Sequence, residues 1–131
     1  MRIAVNFKGD VAILSLSGKF LAGSDGPYMR QKVKDLLDAG TRKLIIDFAD
    51  VPYIDSTGLG FLAGARVTAL NAGSRVVLAE PNAHVLRILD EVNLTQFFVI
   101  ASNEAAAIDM LNQPESAAEA SARPSEFEAK G

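Results

Sequence analysis

Three small polar side chains stand together at Asp55-Ser56-Thr57, directly behind the proline-led run Val51-Pro52-Tyr53-Ile54 and directly ahead of Gly58-Leu59-Gly60-Phe61-Leu62. Two chemistries fit such a cluster at the start of an apolar helical run. Asp55 or Ser56 can act as an N-cap, its oxygen accepting a backbone N–H left free by the first turn, a contact that stabilises a helix by ~1 kcal/mol. Ser56 can also serve as a phosphoacceptor, because small Gly58 and Gly60 keep the corner uncrowded. A phosphoryl group there would meet unpaired N–H donors and the positive end of the helix dipole. It would add roughly −1.5 to −2 charges beside Asp55 and change what a partner sees. Cap and phosphoacceptor are compatible roles.

Other site chemistries find no support. His84 is the single histidine and falls in the first turn of an expected helix, with no G-x-S-x-G elbow anywhere, so it is read as surface decoration. The carboxylates show no metal-ligand spacing. Gly18 to Gly26 is rich in small residues but lacks both the P-loop lysine and the dinucleotide spacing. Met29, Met110 and the phenylalanines fall in apolar patterns that core packing explains. Gly60 and Gly64 are expected to let their helix approach the sheet closely. The chain is therefore expected to be no enzyme and to carry no cofactor or metal of its own.

The chain has 131 residues, 49% hydrophobic and 22% charged, which suits one soluble domain with a real core. Cysteine is absent, which fits a reducing cytosol, and a cytoplasmic location is expected. The N-terminal run Met1-Arg2-Ile3-Ala4-Val5-Asn6 lacks a signal-peptide core, and no stretch approaches the ~18 apolar residues of a membrane span. The net charge is −3, with no basic stripe to track phosphates, so nucleic-acid binding is not expected. That leaves another protein as the expected partner.

The positioning elements follow from periodicity. Ile3–Phe7 and Val11–Ser17 read as two strands joined by the hairpin-type turn Lys8-Gly9-Asp10. Met29, Val33, Leu36 and Leu37 share one face of a helix opened by Pro27 and closed by Gly40. Leu44–Phe48 and Arg75–Ala79 are short apolar runs typical of strands buried on both faces. A helix over Thr57–Ala72 separates them, with Gly73 as its stop. Asn82 caps a third helix with Val85, Ile88, Leu89 and Val92 as its stripe. Phe97–Ile100 reads as a last strand and Asn103–Leu111 as a last helix. The order β-β-α-β-α-β-α-β-α implies an α/β fold, a mostly parallel central sheet with an antiparallel N-terminal edge strand. The domain is placed at residues 1–113. An Ala/Ser/Glu-rich tail at 114–131, with Phe127 its one bulky residue, is expected to be disordered.

Strand Leu44–Phe48 followed by Ile54-Asp55-Ser56-Thr57-Gly58-Leu59-Gly60 closely resembles the signature of the STAS domain family, and within it the bacterial anti-sigma factor antagonists. Leu16-Ser17-Gly18, Asn71-Ala72-Gly73-Ser74 and Leu86-Arg87-Ile88-Leu89 before Asn93-Leu94 extend the resemblance over about Ile3 to Leu111. It implies a single STAS-like domain acting by partner switching in the control of transcription. By position Ser56 would be the phosphoacceptor, with Thr57 the alternative, and Asp55, Thr57, Gly58 and Asp25 would shape the site and its partner contacts. The implied partners are an anti-sigma factor with serine kinase activity, bound only by the unphosphorylated form, and a PP2C-type phosphatase that resets the switch. One position departs from the family pattern: Leu21 stands where many members carry an aspartate, and Asp25 follows four residues later. That departure supports an alternative, a STAS subunit of a larger assembly, such as a lipid-transport complex or sensory scaffold, that never cycles through phosphate.

Overall fold

The computed structural model describes residues 1–21 and 25–115. Strands β1 (Arg2–Lys8) and β2 (Val11–Ser17) pair antiparallel, with Lys8 opposite Val11 across the two-residue turn. Next come α1 (Asp25–Asp38), β3 (Lys43–Asp50), α2 (Ser56–Asn71), β4 (Arg75–Ala79), α3 (Ala83–Glu91), β5 (Val99–Ala101) and α4 (Glu104–Leu111). The sheet order is β1-β2-β3-β4-β5, and every pairing after the first is parallel. This is the α/β architecture expected, including the antiparallel edge strand.

Strand residues alternate between two cores, as a period of two requires. Ala12, Leu14, Leu16, Leu44, Ile46, Phe48, Val76 and Leu78 face α1, α2 and α3. Val11, Ile13, Ile45, Val77, Ala79 and Val99 face α4 alone. Burial of each Val, Leu or Ile contributes roughly 1.5–3 kcal/mol, so the central strands β2, β3 and β4, covered on both sides, anchor the domain. Edge strand β1 is mostly exposed, and its Val5 and Phe7 remain 39% and 55% accessible.

Helix α1 buries Met29, Val33 and Leu36, the face that the spacing predicts. Gly40 ends it at φ +93°, letting Thr41 N–H reach back to Leu36 O at 3.0 Å. The helix begins two residues before Pro27, which still falls in the first turn, where no amide N–H is needed.

Three local expectations change. Phe97 belongs to a 3-10 turn, Thr95–Phe97, and β5 is only Val99–Ala101. Asn93 takes φ +59° after α3, and Leu94 N–H returns to Leu89 O at 2.8 Å, a turn that runs on into the 3-10 segment at the start of the expected strand. The Phe97 ring instead covers the guanidinium of buried Arg66 at 5.5 Å. Val92, expected on the buried stripe of α3, is its C-cap and 40% exposed. Gly60 and Gly64 face outward with nothing within 4 Å of a Cβ placed on either, so they do not serve close approach to the sheet.

After α4 the guanidinium of Arg75 binds the carbonyls of Met110, Leu111 and Gln113 at 3.0, 3.2 and 2.7 Å, fixing the last turn against the start of β4. Of the tail expected at 114–131, residues 116–131 lie outside the described residues. No helix among the described residues is long and apolar enough to cross a membrane.

Candidate functional site

The corner that presents Ser56 is assembled from two loops at the C-terminal ends of β2 and β3. Beyond β3 the Val51 N–H closes on Phe48 O at 3.0 Å, turning the chain. Val51 is buried while Pro52 and Tyr53 stay exposed. Ile54 then forms a parallel bridge with Phe20 from the other loop. Phe20 N–H donates to Tyr53 O at 2.8 Å, and Asp55 N–H donates to Phe20 O at 3.3 Å. Both bridged side chains are fully buried. Two segments more than thirty residues apart thereby become one platform.

From that bridge Asp55 leaves in an extended conformation, φ −91° and ψ 170°, as an N-cap must. Its Oδ1 accepts the Gly58 N–H at 2.6 Å, and its carbonyl accepts Leu59 N–H at 3.0 Å. A carboxylate acceptor makes the cap charge-assisted and also opposes the positive end of the helix dipole. Ser56 and Thr57 are the first two helical residues, and both are exposed. Their N–H groups fall outside the intrahelical ladder, as at any helix start. The cap therefore belongs to Asp55, which leaves the Ser56 side chain out in solvent.

Gly58 and Gly60, both expected to keep the corner uncrowded, have different roles. Gly58 is buried, and a Cβ there would lie 2.8 Å from Phe20 Cδ1, 3.0 Å from Asp55 Oδ1 and 3.1 Å from Ile54 Cγ1. Only glycine lets the helix start settle on the bridge. Gly60 stands in the open.

Asp25 is the first residue of α1 and joins the same corner from the other side. Its Oδ2 accepts the Leu21 N–H at 3.0 Å, and Oδ1 lies 3.3 Å from the Met1 ammonium. Leu21 is the neighbour of bridged Phe20, and its own side chain is 43% exposed. Among the described residues no hydrogen bond joins Asp25 to Ser56. The structure thus brings Asp55, Ser56, Thr57 and Gly58 together and places the Asp25 carboxylate one residue beyond the bridge that supports them.

Two supports were not legible in the motif. Asn82 caps α3 by accepting Val85 N–H at 2.9 Å, and its Nδ2 also donates to Val51 O at 3.1 Å. One side chain thereby starts α3 and steadies the loop that delivers Asp55. Capping was readable from sequence; the second bond depends on the β4–α3 loop reaching the β3–α2 loop. His84, read as surface decoration, is half-buried and stacks on Tyr53 at 4.8 Å and 20°. Its signal, an exposed tyrosine in a loop 31 residues earlier, has no sequence periodicity.

Thr57 also opens onto a shallow groove of about 600 Å³ along the outward side of α2, lined by Arg30, Gly60, Phe61, Gly64 and Val67. Among the described residues there is no cluster of three metal-ligating side chains. The carboxyl of Asp10 is held below its ordinary range, chiefly by its hydrogen bond with Lys43, but it lies in the β1–β2 turn at the opposite end of the strands.

Comparison with known proteins gives a consistent family. A model of the STAS domain matches residues 2–107. The anti-sigma-B factor antagonist of Listeria monocytogenes is 33% identical over 89 residues, covering 65% of this chain and 78% of the relative. A Thermotoga maritima protein solved by crystallography superposes with a TM-score of 0.78 at 24% identity, over 85% of this chain and 95% of its own. The Bacillus cell fate determinant SpoIIAA, solved in its phosphorylated form, shares the fold with a TM-score of 0.65 at 19% identity, over 84% of this chain and 99% of its own.

Proposed function

The chain belongs to the STAS domain family, among the anti-sigma factor antagonists, and from that premise we propose that Ser56 is the switch by which it holds or releases an anti-sigma factor. Antagonists of this family are regulators without catalysis of their own. In this reading the unphosphorylated protein binds an anti-sigma factor that is also a serine kinase, which frees the sigma factor. The kinase's ATP transfers its γ-phosphoryl group to Ser56 Oγ; the hydroxyl proton is lost and ADP departs. A PP2C-type phosphatase hydrolyses the ester and restores the hydroxyl. Nucleotide and divalent ion belong to those partner enzymes, and the exchange takes place in the cytoplasm.

The observation that carries this reading is the division of labour between Asp55 and Ser56. Asp55 makes the cap, so Ser56 can gain and lose a phosphoryl group without unmaking the helix start. The new dianion would stand beside the Asp55 carboxylate at an exposed corner. Its charge is tolerated by the helix N-terminus and opposed by any acidic surface on the partner. A shared fold with a protein known in a phosphorylated form supports the idea. The direct test is incubation with the cognate anti-sigma kinase and ATP, read by intact mass. Wild type should gain one phosphoryl group and Ser56→Ala none; an unmodified wild type, or an equally modified variant, defeats the assignment.

Leu21 favours a second reading, a STAS subunit of a larger assembly that binds its partner without phosphate cycling. The Asp25 carboxylate, anchored on Leu21's own N–H, supplies an acidic group at that place and supports the first reading instead. Ser56→Asp separates them: loss of partner binding supports the switch, and unchanged binding supports the subunit.

A further inference from the structure

We propose that Glu126-Phe127-Glu128, in the C-terminal segment, docks into the α1–α2 groove of its own chain. Gly60 and Gly64 leave a slot along α2 with open space where side chains would stand, and Phe61 and Val67 give it an apolar lining. Arg30 lies at its rim, its guanidinium 6.0 Å from the centre of the Phe61 ring. A smaller adjoining hollow of about 250 Å³ shares Arg30 and Phe61 and adds Lys34, whose ammonium already pairs with Asp38 at 2.7 Å, so Arg30 is the main cation at the slot. The slot therefore asks for an aromatic ring between negative charges. Residues 116–131 contain one bulky apolar side chain, Phe127, and a glutamate stands on each side of it.

Reach permits the contact. Arg75 binds the carbonyls of Met110 and Gln113, and Arg75 stands four residues past the last residue of α2. The segment therefore sets out beside the C-terminal end of that helix. A helix of 16 residues is about 24 Å long at 1.5 Å per residue. The twelve residue-to-residue steps from Glu115 to Phe127 extend to about 40 Å, enough to pass from the α4 side of the sheet and run along α2. Tethering gives the segment a local concentration in the millimolar range, so a modest contact suffices.

The chain has no cysteine, so Ala129→Cys in the full-length protein accepts a nitroxide label at a single position. The Gly60, Gly64 and Val67 amide signals should then lose most of their intensity, while those of Val5 and Phe7 on the exposed edge strand keep theirs. Phe127→Ala in the labelled chain should restore the groove signals. Intact groove signals, broadening at Val5 and Phe7 instead, or broadening that survives Phe127→Ala would each overturn the proposal. A mixed sample, with the label on one copy and the isotope on another, must stay sharp; broadening there would mean a second copy fills the groove. None of these readouts involves phosphate or a partner, so docking can fail while the Ser56 switch stands, and the reverse.

Discussion

Oδ1 of Asp55 sits 2.6 Å from the backbone nitrogen of Gly58, and the same oxygen would lie 3.0 Å from any Cβ placed on Gly58. Cap and glycine are thus one device: the carboxylate can reach the N–H because nothing projects from the residue that carries it. Asp55→Ala should cost about 0.5–2 kcal/mol, the range for lost caps, and Asp55→Asn less. Urea unfolding midpoints measure both. Equal and negligible losses would show that the cap does not hold the corner.

Glycine-to-alanine substitution should have opposite signs within one helix. Gly58→Ala drives a methyl group towards Phe20 and Ile54, and overpacking of this kind costs roughly 1–3 kcal/mol. Gly64→Ala meets open space and should stabilise by roughly 0.5–1 kcal/mol through better helix propensity. Thermal unfolding of the two variants, compared with wild type, decides it. A stabilising Gly58→Ala would mean that the helix start is not seated on the Phe20–Ile54 bridge.

Asn82 permits a separation of its cap from its contacts with the β3–α2 loop. Asn82→Asp keeps a capping oxygen for Val85 N–H but removes the donor to Val51 O. Asn82→Ala removes both and should be the less stable by about 1 kcal/mol, the worth of one cap. Amide exchange at the Ile54–Asp55 backbone should quicken in both variants if the Val51 bond steadies the loop. Quickening in the alanine variant alone would confine Asn82 to its helix.

For the switch, Ser56→Asp should weaken anti-sigma factor binding at least about tenfold, which corresponds to 1.4 kcal/mol, while Ser56→Ala binds as wild type does and accepts no phosphate. Titration calorimetry with the purified partner gives both affinities. If Thr57→Ala rather than Ser56→Ala abolishes labelling, the acceptor is the neighbouring hydroxyl and the corner keeps its role.

Most of the architecture was legible because the central strands are covered on both faces and read as unbroken apolar runs; β2 and β4 fall at the residues that periodicity predicts. Phe97 was misplaced because its β-propensity lost to a tertiary contact, the ring over Arg66, which no local pattern records. Gly60 and Gly64 were misjudged for a related reason. Glycine spacing shows that space exists beside a helix, and only the fold shows on which side. At the site the motif named Asp55, Ser56 and Gly58. It could not divide their tasks, because the division depends on Phe20, brought in by the other loop.

Gly60 and Gly64, idle in packing, have a consequence for how such proteins diversify. A surface with no structural duty can accept new side chains with little penalty to folding, whereas the bridge beneath Gly58 cannot. Substitutions can therefore accumulate along the outward flank of α2 while the Asp55–Gly58 helix start stays as it is.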